Sequence, residues 1–422
     1  MQENSRRSVQ LGDLFTIKHG YAFKGEHFGS EGSHIVLTPG NFFEQGGFKR
    51  KFDKEKWYSG KIPEDYILAQ GDLLIAMTEQ AEGLLGSAAF VPENGRYLHN
   101  QRLGLIQNLN GVEKRYLYYL FNSLTVRQQI RASCSGVKVR HTSPSRIYEV
   151  KVDIPPLPTQ RKIAAILSAY DDLIENNLRR IKILEEMAQN LYREWFVKFR
   201  FPGHQHARFV DSPLGRIPEG WEVMPFTEIA DVLSGGTPKT TVQEYWGGLI
   251  PFFAPKDASE AFYVTNTEKA ITEMGLRKCN SKLYPRDTVF ITARGTVGKV
   301  VMPSMDMAMN QSCYALRGKQ GISQLYLFLA TREQVDYLKK NTGGATFDTI
   351  VVDTFRRMLV AKPDNEVIVL FSQLIQPGME LILNILKKNT TLRRTRDMLL
   401  PKLISGEVEV SELDITVPEE LA

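Results

Sequence analysis

The chain has little cysteine: Cys134, Cys279 and Cys313 are the only three in 422 residues. Scattered and without CxxC spacing, they argue against a disulfide framework and a structural zinc site, and they suit a reducing compartment. Long apolar runs are missing as well. No stretch of about 18 uncharged apolar residues occurs, and the start MQENSRRSVQLGDLF has no apolar h-region. The expectation is a cytoplasmic chain with no membrane among its partners. Nor is there a large excess of one charge. Lys plus Arg exceed Asp plus Glu by 53 to 48, a net +5, which is compatible with a polyanionic partner without requiring one.

Catalytic signatures are absent too. The run RGTVGKV, from Arg294 to Val300, lacks the spacing of a phosphate loop and has Val300 where Ser or Thr is needed. His204 and His206 have no carboxylate or Cys cluster beside them, so no metal site is expected. There is no G-x-S-x-G elbow, no H-E-x-x-H and no helix-opening GxGxxG. Asp153-Ile154-Pro155-Pro156 departs from the Asp-Pro-Pro-aromatic motif of amino methyltransferases by an intervening Ile and a missing aromatic. The reading is of a chain with no catalytic residue and no cofactor of its own.

What the chain does have is a duplication. Ser135–Val197 lies on Gly343–Ser405 without a gap, a shift of 208 residues (343 less 135), with Gly136 on Gly344, Pro155 on Pro363, Leu184 on Leu392 and Leu191 on Leu399. A weaker echo sets GDLLIAMTEQAEGLLGSAAFV and Asn100-Gln101 beside RDTVFITARGTVGKVVM and Asn310-Gln311. A period this long is that of a whole module, not of a solenoid, whose repeats run about 20–50 residues. Two similar modules suggest two similar things gripped at a fixed separation.

Within each copy a mixed domain precedes a long helix. In the first copy YILAQGDLLIAM, GSAAFV and RLGLIQ read as strands and EKRYLYYLFNSLTVRQQI as a helix. Pro155, Pro156 and Pro158 favour extended chain, after which Thr159 is placed to cap a helix over about 160–199. Ile163, Leu167, Tyr170, Ile174, Asn177, Ile181, Leu184, Ala188, Leu191 and Trp195 alternate spacings of four and three, the period of a coiled-coil seam. The second copy repeats it at Phe371, Ile375, Gly378, Ile382, Ile385, Asn389, Leu392, Arg396, Leu399 and Leu403. Each seam carries one Asn, at non-equivalent places, read either as a register device or as a frayed, solvated position. About 40 residues make a rod of roughly 60 Å.

The division expected is a first mixed domain over 1–155, a central helical region over 156–205, a second mixed domain over 206–363 and a C-terminal helical region over 364–422. FRFPGHQHARFVDSPLGRIPEGW reads as a linker and the acidic tail after Gly406 as peripheral. The fold class is α+β: two mixed α/β domains in pseudo-symmetric tandem, joined by two long helices that form an antiparallel coiled coil.

Glycine-rich turns carrying basic and hydroxyl groups recur in both domains. Gly lets backbone approach a phosphate, Lys and Arg bring charge and guanine donors, and Ser or Thr bonds phosphate or base. The candidate DNA contacts are Lys18, Tyr21, Lys24, Lys138, Arg140 and His141 in the first copy. In the second they are Thr237, Lys239, Lys256, Thr292, Arg294, Lys299 and Thr346.

VDIPPLPTQRKIAAILSAYDDLIENN (152–177), LYREWFVKFRFPGH (191–204), LGRIPEGWEV (214–223), SGGTPKT followed by EYWGG (234–248), and MLLPKLISGEV (398–408) together resemble the specificity subunits of type I restriction-modification systems, the HsdS family. The resemblance covers essentially the whole chain. It implies two target recognition domains, each reading half of a bipartite double-stranded DNA target, and conserved helices that hold two modification (HsdM-like) subunits. S-adenosylmethionine would then sit in those subunits, and ATP and Mg in the restriction (HsdR-like) subunits that join them. One departure is MTEQAEGLLGSA in the first domain where the second has the more typical ITARGTVGKV. Two other readings stay open: a stand-alone enzyme with duplicated recognition domains, and a coiled-coil adaptor binding protein.

Overall fold

A computed structural model describes residues 6–51, 54–79, 81–136, 140–319, 321–341 and 349–419. The chain divides into two units, Met1–Ile174 with Thr391–Ala422, and Glu175–Thr390. The expected boundaries lie before and after the first long helix and before the second. The observed ones fall inside both long helices, because each domain packs on helix segments from both copies.

The first unit is built on a four-stranded antiparallel sheet in the order Thr16–His19, Leu103–Gln107, Leu73–Ala76, Ala88–Phe90. The three predicted strands are there. The single predicted helix is two, Lys114–Phe121 and Leu124–Ala132, with Asn122 and Ser123 between them. Glu113 caps the first with its carboxylate on the amides of Arg115 and Tyr116. A second sheet pairs His34–Val36 in parallel with Tyr97–Leu98. The domain is closed by Arg7–Gln10 running antiparallel to Lys151–Ile154.

The second unit repeats this plan where the sequences hardly match. Ala230–Ser234, Cys313–Gly318, Val289–Thr292 and Val300–Pro303 follow one another in the same order, with Tyr263–Val264 added in parallel. Trp246–Phe253 pairs in parallel with Ala308–Met309. Glu222–Pro225 closes the domain against Leu359–Lys362. The predicted helix near residue 324 is Gln324–Asn341.

The first long helix runs Leu157–Tyr192 and ends in a π turn, Arg193–Val197. It begins earlier than expected. Pro158 sits in the first turn, where no amide partner is needed, and Gln160 N already donates to Pro156 O at 3.0 Å. Thr159 is buried inside the helix and is not its cap. The second long helix is Asn365–Ser405. By length and composition it is apolar enough to cross a membrane, and its apolar seam is turned into the core.

The helices pair antiparallel within each unit. In the first, Ile163, Leu167, Leu403 and Leu399 share one core cluster, and Arg396 is ion-paired with Asp171. In the second, Trp195 meets Phe371 with ring centroids 5.6 Å apart, and Ile181, Leu184, Ile382 and Ile385 share a core. Tyr170, Ile174, Leu191 and Leu392 are buried or half-buried as the period predicts. The frayed reading of the asparagines is wrong: Asn177 and Asn389 are 2% and 0% exposed, and Asn177 Nδ2 donates to Asn389 Oδ1 at 2.7 Å.

Two further expectations are corrected. The segment read as a linker forms a hairpin, Phe209–Ser212 with Gly215–Pro218, and Phe201 stacks on Trp221 in the second unit's core. The tail is not peripheral either: Val410 is buried, and Lys162 Nζ donates to the carbonyls of Ser411 and Leu413 at 2.6 and 2.8 Å. Arg6 donates to the carbonyls of Leu403 and Ile404, satisfying the end of the second long helix with a residue from the start of the chain.

Candidate nucleic-acid interface

In each unit one turn follows the first strand of the sheet, and it is pressed against an Asn of the chain's own. A Cβ at Gly20 would lie 2.1 Å from the carbonyl oxygen of Asn100, and one at Gly235 would lie 2.1 Å from that of Asn310. The Asn side chains act alike: Asn100 Oδ1 accepts from Arg102 N, and Asn310 Oδ1 from Ser312 N, both at 3.0 Å. These glycines therefore serve a backbone-to-backbone approach inside the domain rather than an approach to phosphate. What the turns hold outward differs between the copies.

In the first unit the turn presents Tyr21, 37% exposed, edge-on to Phe23 and beside Tyr66 with centroids 5.1 and 5.3 Å away. Lys18 Nζ lies 4.9 Å over the Tyr66 ring and donates to Asp65 O at 2.6 Å. Lys24 is exposed, 3.9 Å from Glu26. Arg140 and His141 lie on a separate ladder against Thr78 and Glu79: Arg140 Nε is 3.8 Å from Glu79 Oε2, and His141 Nδ1 is 3.1 Å from Thr78 Oγ1. Lys138 lies outside the described residues.

The second unit brings two of its candidates to one groove. A groove of about 500 Å³ is lined by Thr237 and Lys256 together with Thr240, Trp246, Lys269 and Gln311. Thr237 Oγ1 donates to Gln311 Oε1, and Trp246 Nε1 donates to Lys239 O at 3.3 Å. Lys269 stands 5.3 Å over the Trp246 ring, and Lys256 is paired with Glu268. Hydroxyl, amide, ammonium and an aromatic face are thus set together, the mixture that binds phosphates and base edges. Arg294 is exposed on the neighbouring loop. Thr292 is fully buried; its hydroxyl is spent on Thr296 O and Lys299 N, so it shapes that loop and does not face solvent. Lys299 is half-buried and paired with Glu260. Thr346 lies outside the described residues.

Sequence reasoning missed Trp246, Lys269 and Gln311, and also a basic run flanked by aromatics in the first unit. There Lys49 lies 5.7 Å over Phe43, Lys56 5.6 Å over Phe28 and Arg96 5.7 Å over Trp57. Burial, then the charges of Lys56 and Lys49, hold Lys51 below the ordinary lysine range. The signal was present as FKRK and KEKW, basic residues interleaved with rings between Phe48 and Trp57.

Each platform is seated on its own stretch of long helix. In the first unit Tyr119 Oη donates to Asp171 Oδ2 at 2.7 Å, and in the second Phe262 N donates to Glu185 Oε1 at 2.7 Å and Arg193 Nε to Glu333 Oε2 at 2.8 Å.

A twinned sheet scaffold with variable outward turns, each seated on a coiled-coil segment, defines a duplicated recognition protein. The model of the type I restriction modification DNA specificity domain matches twice, over residues 6–186 and 218–385. The chain belongs to that family, the DNA-recognising specificity subunits of type I restriction-modification enzymes. It is similar to the MjaIX specificity subunit of Methanocaldococcus jannaschii, 28% identical over 318 residues covering 74% of this chain and 73% of the relative. The HindI specificity subunit of Haemophilus influenzae is 25% identical over 389 residues, 75% of this chain and 84% of the relative. The crystal structure of a type I S subunit from M. genitalium shares the fold, with a TM-score of 0.56 at 14% identity over 96% of this chain and 97% of that one.

Proposed function

We propose that this chain reads a two-part, asymmetric double-stranded DNA target, one half with each recognition domain, and leaves the bases between unread. The observation that carries this is the repeated frame with different outward groups. The Gly20–Asn100 and Gly235–Asn310 contacts are the same, while one turn presents Tyr21 and Lys24 beside Lys18 of the preceding strand and the other presents Thr237 and Lys239. Identical frames with identical groups would read two copies of one half-site; different groups read two different half-sites.

The chain itself is non-catalytic and serves as scaffold. Two modification subunits bring S-adenosylmethionine, and restriction subunits bring ATP and Mg, in the cytoplasm. Docking is supported by apolar residues left on the outer faces of the long helices, among them Ile183, Met187, Leu370 and Leu374, 48–62% exposed. Mapping methylated adenines in cells that carry this chain with its modification partner tests the reading. One gapped, two-part motif is expected. A single uninterrupted motif, or methyl transfer by the purified chain alone, overturns it.

A further inference from the structure

The two seam asparagines meet although they are not equivalent in the duplication. The 208-residue shift that carries Ser135 onto Gly343 carries Asn177 onto Ile385 and Ile181 onto Asn389. The antiparallel register set by the Asn177–Asn389 bond places Ile181 opposite Ile385, one step along the seam. The second unit's core therefore holds a polar layer beside an apolar one, where exact symmetry would demand two alike.

We infer that this displaced pair selects the partner of each helix: it favours the first long helix on the second and disfavours either helix on its like from another copy of the chain. The copies are close enough in sequence for like pairing to be a real competitor. In the corresponding antiparallel pairing of two first helices, residue 177 of each faces residue 181 of the other, so both layers set a buried Asn against an Ile. Two second helices pair 385 with 389 and meet the same mismatch twice. Only the first helix on the second gives one Asn–Asn layer and one Ile–Ile layer. A buried amide facing an alkyl group forfeits its hydrogen bond and stays desolvated, whereas the matched pair keeps it. The ion pair of Arg396 with Asp171 is likewise made only between unlike helices, because the positions equivalent to them are Ala188 and Met379.

The test rearranges the four positions in the full chain without changing their composition. Ile181→Asn with Asn389→Ile puts both asparagines on the first helix. Pairing within one chain now mismatches both layers, and pairing between copies matches all of them. Light scattering coupled to size exclusion, after refolding over a range of concentrations, should show this variant shifting towards a dimer relative to the unaltered chain. Adding Asn177→Ile and Ile385→Asn moves the polar layer to the symmetry-related site, and this four-residue variant should return to the parent's mass and melting midpoint. A folded two-residue variant with the parent's association state overturns the inference. If that variant does not fold, recovery by the four-residue variant supports the pairing rule, since only the partnering differs. A four-residue variant as impaired as the two-residue one overturns it.

Discussion

Single residues decide whether each glycine turn is held in place. Gly20 and Gly235 have space for no side chain, because a Cβ at either would stand 2.1 Å from a backbone carbonyl oxygen that neighbouring strands immobilise. Gly235→Ala should therefore cost about 2–3 kcal/mol of stability and loosen retention of duplex DNA more than Lys239→Ala, as read by thermal melting and by DNA capture at several salt concentrations. A second residue ties stability to pH. His99 is fully buried, with Nε2 on Leu103 O at 2.9 Å, and burial above all lowers its pKa to about 4. In the unfolded chain it takes up a proton near pH 6.5. Between these values the unfolded state binds the extra proton, so the contribution is complete above about pH 6.5 and is lost as pH falls towards 4. Its full size is on the order of 3 kcal/mol. Urea midpoints measured from pH 7 down to 4.5 should fall for the parent chain and fall less steeply for His99→Gln; equal slopes would remove His99 from the explanation.

At the scale of elements, the seam carries both order and stability. Asp171 accepts from Tyr119 and pairs with Arg396, whose side chain is 22% exposed at a seam position. Asp171→Ala removes the acceptor that Tyr119 and Arg396 share while the guanidinium keeps its pairing with Asp397, and should cost about 1–3 kcal/mol, more than Glu175→Ala on the exposed face of the same helix; chemical denaturation of both variants checks the difference. The seam was legible in the sequence because a 3.5-residue period survives any partner choice. The register of the helices' antiparallel pairing was not. Aligning the copies sets Asn177 on Ile385, but an antiparallel contact sets Asn177 on Asn389, and only the register tells the two apart. The same limit governs the candidate contacts. Residue type and recurrence pointed to Thr237 and Lys256, yet Trp246, Lys269 and Gln311 reach that groove from other strands and turns of the fold. The carboxylates beside Lys299 and Arg140, from Glu260 and Glu79, lie 39 and 61 positions away along the chain (299 less 260, 140 less 79). The burial of Thr292 follows from a sheet whose order no local pattern contains.

For the molecule as a whole, the proposed reading makes the paired helices a ruler, with the first spanning 36 residues and the second 41. A heptad is the natural unit for changing its length, since seven residues preserve the four-three alternation of the seam. The antiparallel pairing adds a condition absent from a single-helix view: both helices must lengthen at facing layers, or the inserted seam residues have no partner. Seven residues in each add about 10.5 Å of helix, close to three base pairs at about 3.4 Å per pair. Methylated-adenine mapping with the doubly lengthened chain should recover both half-sites unchanged, separated by a spacer about three base pairs longer. The chain lengthened in one helix alone should lose thermal stability and methylation together, because it buries a seam with no complement. An unchanged spacer in the doubly lengthened, stably folded chain would mean that the helices hold the readers without measuring the distance between half-sites.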